Sequence, residues 1–193
     1  RHTRYWRDWS SDVCSSDLIT RYSYFARWFH GITAIIIVFI VLPVGVWIHY
    51  FEPADQAFKM RLYNLHESFG FIIFGLTLVR LAWRWIYPPP VWPDATPVWI
   101  KLAAGFSHAS LYALLLLMPI TGFLATNAWG FPLKLFEYLP IPSPIGKDEI
   151  LAKFLSLLHW CGALCMTGIL VVHLLGALNH RFIARDALAR RMI

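Results

Sequence analysis

The sequence predicts an all-α integral membrane protein in which four transmembrane helices form a bundle. Of its 193 residues, 58% are hydrophobic and 15% are charged, and the mean hydropathy is +0.54. Several long segments contain no Asp, Glu, Lys or Arg, and each exceeds the roughly 20 residues that a helix needs to cross about 30 Å of hydrocarbon. This composition is typical of membrane proteins and not of soluble globular domains.

Four membrane spans are predicted, at about 28–50, 62–86, 103–129 and 154–180. The second is the least regular, because it contains Glu67, Arg80 and Arg84. We retain it as a span because its apolar pattern continues to Ile86. Residues 88–90 are three successive prolines, which cannot continue a helix because they have no N–H group.

Residues 1–18 differ from the rest of the chain. They lack the apolar core of a signal peptide and contain a near-repeat of Ser-Ser-Asp at 10–12 and 15–17. The segment resembles the translated adapter sequence found at the ends of some reading frames. We therefore expect residues 1–18 to be a non-native tail, and residues 19–193 to form the membrane domain.

Basic residues are distributed unequally between the two ends of the predicted spans. Nine lie on the side of the chain termini, namely Arg21, Arg27, Arg80, Arg84, Lys101, Arg181, Arg185, Arg190 and Arg191. Five lie on the other side, namely Lys59, Arg61, Lys134, Lys147 and Lys153. The excess predicts that both termini are cytoplasmic. The net charge of +6 is then explained by loops beside anionic lipid, so membrane lipid is an expected partner and nucleic acid is not.

Five histidines lie well inside the predicted spans, namely His30, His66, His108, His159 and His173, whereas His49 and His180 lie at span ends. A titratable side chain within a membrane is costly, so each is a candidate functional residue. His159 and His173 are 14 residues apart, which is close to four full helical turns, so they share a face and lie about 21 Å apart along the axis. This spacing suits two metal centres stacked across one bilayer.

The other histidines can be matched to these two by depth in the membrane. His30 enters from the cytoplasmic side, level with His173, and His66 enters from the outer side, level with His159. Two imidazoles and four porphyrin nitrogens complete the coordination of a haem iron. The sequence therefore predicts two b-type haems with these four histidines as metal ligands. No Cys-x-x-Cys-His motif is present for covalent attachment.

His108 leaves an alternative open at the cytoplasmic end. It could replace either ligand there, bind a haem propionate, or pair with Tyr112 one turn away. A single histidine in a membrane helix can also be an ordinary interhelical hydrogen-bonding group. A haem-free transporter or scaffold is a further alternative, but it leaves the depth pairing unexplained.

Cations near each membrane surface are candidates for binding the haem propionates. Arg80 and Arg84 are proposed for the inner haem, and Lys59 or Arg61 for the outer one. Anchoring to lipid headgroups explains the same residues equally well. Small residues stand one helical turn after each paired histidine and would leave room for a porphyrin: Ala34, Gly70, Gly162 and Gly176.

Several stretches resemble the bacterial cytochrome b561 family, over residues 21–192. They are residues 21–30, 65–81 and 159–181, with the pattern His108, Tyr112, Pro119 and Gly122. The resemblance implies a quinone-linked dihaem cytochrome of the bacterial inner membrane, with ubiquinone as substrate. One type of member oxidises superoxide at the outer face, and the loop at 127–151 departs from that type.

The cytochrome subunits of hydrogenases and formate dehydrogenases are similar too. They place one ligand on each of the first two helices and two on the fourth. An alternative function is therefore a membrane-anchor subunit that relays electrons from a dehydrogenase partner.

Overall fold

The computed structural model describes residues 21–51, 55–93, 95–186, 188 and 191. Residues 1–18, the predicted non-native tail, lie outside this part of the chain. Four long helices make up the fold: α1 Tyr24–Tyr50, α2 Gln56–Ile86, α3 Val98–Trp129 and α4 Glu149–Ile183. Each is long and apolar enough to cross a membrane. The predicted fold class, a four-helix membrane bundle, is confirmed.

Polar side chains cap three of the four helix starts. The Ser23 hydroxyl accepts an N–H bond from the first turn of α1, and the Asp55 and Asp148 carboxylates do the same for α2 and α4. Such caps satisfy N–H groups that have no partner within the helix. The helices begin four to six residues before the predicted spans, because the spans were drawn to start after a charged residue, namely Arg27, Arg61, Lys101 or Lys153, which the helices include.

The regular helical geometry is interrupted in α1, α3 and α4. In α1 a π-helical segment, Ile37–Val41, comes directly before the turn that contains Pro43. Pro119 lies inside α3, and α4 ends with the π-helical segment Asn179–Ile183. A proline inside a helix removes one backbone hydrogen bond and bends the helix.

The loop between α3 and α4 contains a small β-hairpin, which the all-α prediction did not include. Strand β1, Lys134–Leu135, pairs antiparallel with β2, Leu139–Pro140. Phe136 and Glu137 form the turn at positive φ values of 50° and 70°. The Phe136 N–H donates to the Ser68 hydroxyl on α2 at 2.8 Å. This bond fastens the hairpin to the bundle.

The two ends of the bundle are named here by what closes them. The hairpin end carries the β-hairpin, Lys134–Pro140. The terminal end carries Tyr22 and Arg191, where the Tyr22 N–H donates to the Arg191 carbonyl at 3.1 Å. The Arg191 guanidinium also donates to the Val91 carbonyl at 3.0 Å and to the Pro90 carbonyl. From the distribution of basic residues, we predict that the terminal end is cytoplasmic.

The helices pack in sequence order, α1 on α2, α2 on α3 and α3 on α4. Their shared core is small and consists of Ile37, Val41, Ile73, Leu115, Met118 and Met166. Within the described residues, α4 makes few or no backbone contacts with α1 or α2. The α4 backbone therefore stands apart from the backbones of those two helices, and the space between them, which Met166 of the shared core partly fills, is called the gap.

Candidate functional site

Four of the intramembrane histidines face one another across this gap in two pairs. His30 on α1 and His173 on α4 form the terminal pair, with ring centroids 6.3 Å apart and ring planes at 69°. His66 on α2 and His159 on α4 form the hairpin pair, with centroids 6.1 Å apart and planes at 76°. These are the pairs that the depth argument predicts.

His108 joins the terminal pair from α3. Its ring centroid lies 5.4 Å from that of His173, at an interplanar angle of 65°. His173 thus has two imidazole neighbours, His30 and His108. His108 is therefore placed where it could replace a ligand of the terminal pair or bind a haem propionate there, as the sequence left open.

The surroundings of the hairpin pair fit a large, flat apolar cofactor. A cavity of about 1010 Å³ includes both rings and has mostly apolar walls, among them Leu115, Phe123 and Trp129. Its volume is at the upper end of the range for small-molecule and cofactor sites, about 300–1,000 Å³. Among the described residues, no group of three or more His, Cys, Asp or Glu side chains could hold a metal ion. A metal between two histidines would therefore need its other ligands from a cofactor, and a porphyrin supplies four.

The distances between the rings also fit axial coordination of one metal. With metal–nitrogen bonds of about 2.0 Å, two imidazoles that held one metal between them would have ring centroids roughly 6.4 Å apart. The terminal pair, at 6.3 Å, and the hairpin pair, at 6.1 Å, are both close to this value. The ring centroids of His108 and His173 are 5.4 Å apart, which is about 1 Å too short for two imidazoles that hold one metal between them.

Backbone carbonyls orient both rings of the hairpin pair. The Nδ1 atom of His66 lies 3.0 Å from the Val41 carbonyl oxygen, and Nδ1 of His159 lies 3.0 Å from that of Met118. A carbonyl oxygen only accepts hydrogen bonds, so each Nδ1 carries the proton. The other nitrogen, Nε2, keeps its lone pair. Metal-bound histidines typically have this arrangement.

The terminal pair has cationic surroundings instead. An Arg80 guanidinium nitrogen lies 3.3 Å from Nδ1 of His30. Arg80 and Arg84 both lie over the Tyr112 ring, at 5.4 and 5.9 Å from its centroid. A second cavity, of about 340 Å³, is lined by His108 and by three cations, Arg84, Lys101 and Arg191. The predicted propionate partners Arg80 and Arg84 thus lie beside the terminal pair.

The cations predicted for the hairpin end are arranged less compactly. Arg61 is exposed on α2 and Lys59 is partly buried one turn from the helix start. Of the described residues that line the large cavity, Lys134 is the only Lys or Arg. It comes from the β-hairpin, whose fold was not predicted.

Sequence reasoning did not predict that two glycines contact the hairpin pair; Gly122 entered it only through the family resemblance, and Gly45 not at all. A Cβ atom added to Gly45 would lie 3.0 Å from Cε1 of His66, and one added to Gly122 would lie 2.9 Å from Cε1 of His159. The sequence search considered small residues on the same helix as each histidine. Of these, Gly162 instead packs against Met118. A search for glycines at the same depth on the other helices would have found Gly45 and Gly122.

Comparison with known proteins gives consistent matches over most of the chain. The family described as "Prokaryotic cytochrome b561" matches residues 21–193. A relative named "Cytochrome b561 homolog 2", from Escherichia coli (strain K12), is 32% identical over 174 residues, which cover 90% of this chain and 91% of the relative. A relative named "Probable superoxide oxidase CybB", from Yersinia pestis, is 26% identical over 141 residues, which cover 72% of this chain and 79% of the relative. The chain therefore belongs to the prokaryotic cytochrome b561 family, a family of haem b membrane proteins that transfer electrons.

Proposed function

We propose that this chain is a dihaem cytochrome that passes electrons between the two membrane faces and exchanges them with a quinone. His30 and His173 would ligate one haem, and His66 and His159 the other. The observation that carries the proposal is the two histidine pairs, which face each other across a gap at the separation of axial ligands. When bound, a haem supplies reversible one-electron chemistry at its iron.

The protein side chains would confine that chemistry to electron transfer. Two histidines on each iron leave no coordination position for oxygen or a substrate. His159 and His173 set the two centres about 21 Å apart along α4, one near each end of the bundle. Electrons would enter and leave through the edges of the cofactors, and the apolar walls of the large cavity would exclude water from one of them.

Arg80 would change partner when the terminal haem binds. Its guanidinium can only donate hydrogen bonds, so its contact with His30 requires Nδ1 of His30 to be an acceptor. A neutral His30 that binds iron through Nε2 carries its proton on Nδ1 and cannot accept this bond. Arg80 would therefore turn to another anion, and a haem propionate beside Arg84 is suitable.

His108 would support the terminal haem without ligating it. Its distance from His173 is too short for opposed axial ligands. It also lines the basic cavity with Arg84 and Lys101. This position suits a hydrogen bond to a propionate or to a bound quinone.

Quinone, most simply ubiquinone, is proposed as the electron-exchange partner from the resemblance to the family. The inner membrane of a bacterium, with both termini in the cytoplasm, is the proposed location. It is supported by the four helices of spanning length and by the excess of basic residues on the terminal side.

The direct test is the haem content and coordination of the purified protein. A pyridine haemochrome assay should give about two b haems per chain, and the dithionite-reduced spectrum should not change when carbon monoxide is added. A content of one haem or none would refute the dihaem proposal. Binding of carbon monoxide by the unmodified protein would refute coordination by two histidines.

A second candidate, superoxide oxidation at the hairpin end, is favoured by the name of the Yersinia relative. Lys134, which lines the large cavity together with Glu67 and Glu137, is the cation there that could attract an anionic donor. Lys153 is unsuited to this role because it forms an ion pair with Glu149 at 2.8 Å. The Lys134→Gln and Lys153→Gln variants therefore make a matched pair.

Stopped-flow reduction of the haems by superoxide, with ubiquinone present, tests this candidate. The rate should fall as ionic strength rises, because salt screens the attraction. It should also fall in Lys134→Gln and stay unchanged in Lys153→Gln. A slow rate that is insensitive to salt would favour the anchor-subunit alternative, and co-purification of a stoichiometric dehydrogenase from native membranes would then establish it.

A further inference from the structure

The two histidines of the hairpin pair are held by the same arrangement on two different helices. His66 meets the Val41 carbonyl and lies against Gly45, four residues further along α1. His159 meets the Met118 carbonyl and lies against Gly122, four residues further along α3, and its Nδ1 also lies 3.2 Å from the Thr121 hydroxyl. A carbonyl followed by glycine at the fourth position thus occurs at each ring.

Helix geometry explains why the glycine is at this position. The carbonyl of residue i in a helix points along the axis toward residue i+4, whose N–H it accepts. The oxygen has a second lone pair that can accept another donor. Side chains at i and i+4 stack on the same face, so an ordinary side chain at i+4 covers this lone pair. Glycine leaves it open to a neighbouring helix; at Met118 the oxygen also accepts the Thr121 hydroxyl at 3.0 Å.

We propose that Gly45 and Gly122 are positioning residues for the two haem ligands at the hairpin end. Each lets an imidazole approach a helix closely enough for Nδ1–H to reach the carbonyl one turn earlier. That bond fixes the proton on Nδ1 and directs the Nε2 lone pair toward the iron. This inference rests on the proposed function, because it assumes that His66 and His159 ligate a haem.

There is little room for a side chain at either glycine beside the imidazole rings. An added Cβ atom at Gly122 would lie 2.9 Å from Cε1 and 3.1 Å from Nδ1 of His159. At Gly45 it would lie 3.0 Å from Cε1 and 3.4 Å from Nδ1 of His66. Something must shift at Gly122, and the ring must give way by a few tenths of an ångström at Gly45; the added Cβ lies on the side of the ring that faces the carbonyl-bearing helix, so a shift away from it weakens the Nδ1–H bond. Alanine at either position therefore works against the Nδ1–H bond.

Two other glycines provide matched controls within the membrane helices. Gly75 on α2 and Gly168 on α4 have no neighbouring atom within 4 Å of an added Cβ. An alanine at either position changes helix propensity in the same way as at Gly45 and Gly122 and leaves the histidine rings untouched. Comparison with these controls separates ring positioning from a general effect on the helix.

The experiment measures carbon monoxide binding by the reduced protein and the electron paramagnetic resonance spectrum of the oxidised protein. Wild type, Gly75→Ala and Gly168→Ala should bind no carbon monoxide and give two low-spin signals. Gly122→Ala should bind carbon monoxide at one haem of the two, or show one low-spin signal shifted, while the other signal is unchanged. Gly45→Ala should do the same at the same haem.

Unshifted, carbon-monoxide-inert haems in both Gly45→Ala and Gly122→Ala would overturn the inference, and so would equal changes in the controls. If Gly122→Ala does not fold, Gly45→Ala decides the question, because its closest contact is slightly longer. A wild type with fewer than two haems, or one that binds carbon monoxide, would instead overturn the proposed function. The two failures are therefore distinguishable.

Discussion

Substitution of His30 and of His108, each by alanine, distinguishes the two candidate partners of His173. Both rings lie beside His173, so sequence position alone does not separate them. We expect His30→Ala to lose the terminal haem and His108→Ala to retain it. In each variant the hairpin haem serves as an internal reference, because His66 and His159 are unchanged.

The expected size of the effect follows from the ring separations. Opposed imidazoles on one iron require roughly 6.4 Å between centroids, and the distance from His30 to His173 is 6.3 Å. For His108 the distance is 5.4 Å, so coordination would require it to move about 1 Å away from His173. The haem content should therefore fall from about two per chain to about one in His30→Ala, and stay near two in His108→Ala.

The pyridine haemochrome assay, with protein quantified by amino-acid analysis, measures this ratio. His180→Ala is a suitable control, because His180 lies near the end of α4, contacts Asp186 at 2.6 Å and lines neither cavity. Loss of one haem in His108→Ala, with both haems kept in His30→Ala, would contradict the assignment of His30. Loss of both haems from a folded variant would contradict the independence of the two sites.

Three further predictions concern other parts of the bundle. His159→Ala should remove the hairpin haem alone and His173→Ala the terminal haem alone, since the two ligand pairs have only α4 in common and each variant leaves the other pair intact. Absorption and electron paramagnetic resonance spectra of each variant would reveal any loss at the wrong end. Arg80→Gln should lower the midpoint potential of the terminal haem, because a nearby cation stabilises the reduced state. The expected shift is roughly 60 mV for each 1.4 kcal/mol of lost interaction. A redox titration that shows no shift would argue against a propionate contact. Asp148→Ala should destabilise the protein by about 1 kcal/mol and lower its midpoint of thermal unfolding by about 2–4 °C, because the Asp148 carboxylate caps α4. An unchanged midpoint would show that this cap is dispensable.

The pairing of the histidines could be predicted because it depends on regular geometry. The angle and rise of an α-helix fix the relation of His159 to His173 from their spacing alone. Successive spans cross the membrane in alternating directions, which sets the depth of His30 and His66 in the bilayer. The structure places both pairs as this reasoning expects. The role of these residues as metal ligands stays a prediction.

Features that depend on how one helix faces another could not be predicted in this way. Gly45 and Gly122 matter because of the rotation of α1 and α3 relative to the rings of His66 and His159. Periodicity along one helix contains no information about that rotation. The hairpin was missed for a different reason: its turn residues have positive φ values without the Gly or Asn that usually signals such a turn.

The small core of the bundle suggests that the cofactors would also hold it together. Few side chains of α4 are buried, namely Ala152, Leu155 and Met166 among the described residues, and α4 hardly contacts α1 or α2. A haem ligated from both sides of the gap would join α4 to α1 at the terminal end and to α2 at the hairpin end. A ligand that binds only the folded protein stabilises it by about 4 kcal/mol when its concentration is 1,000 times its dissociation constant. The haems proposed to carry electrons would thus also complete the packing that the side chains leave unfinished.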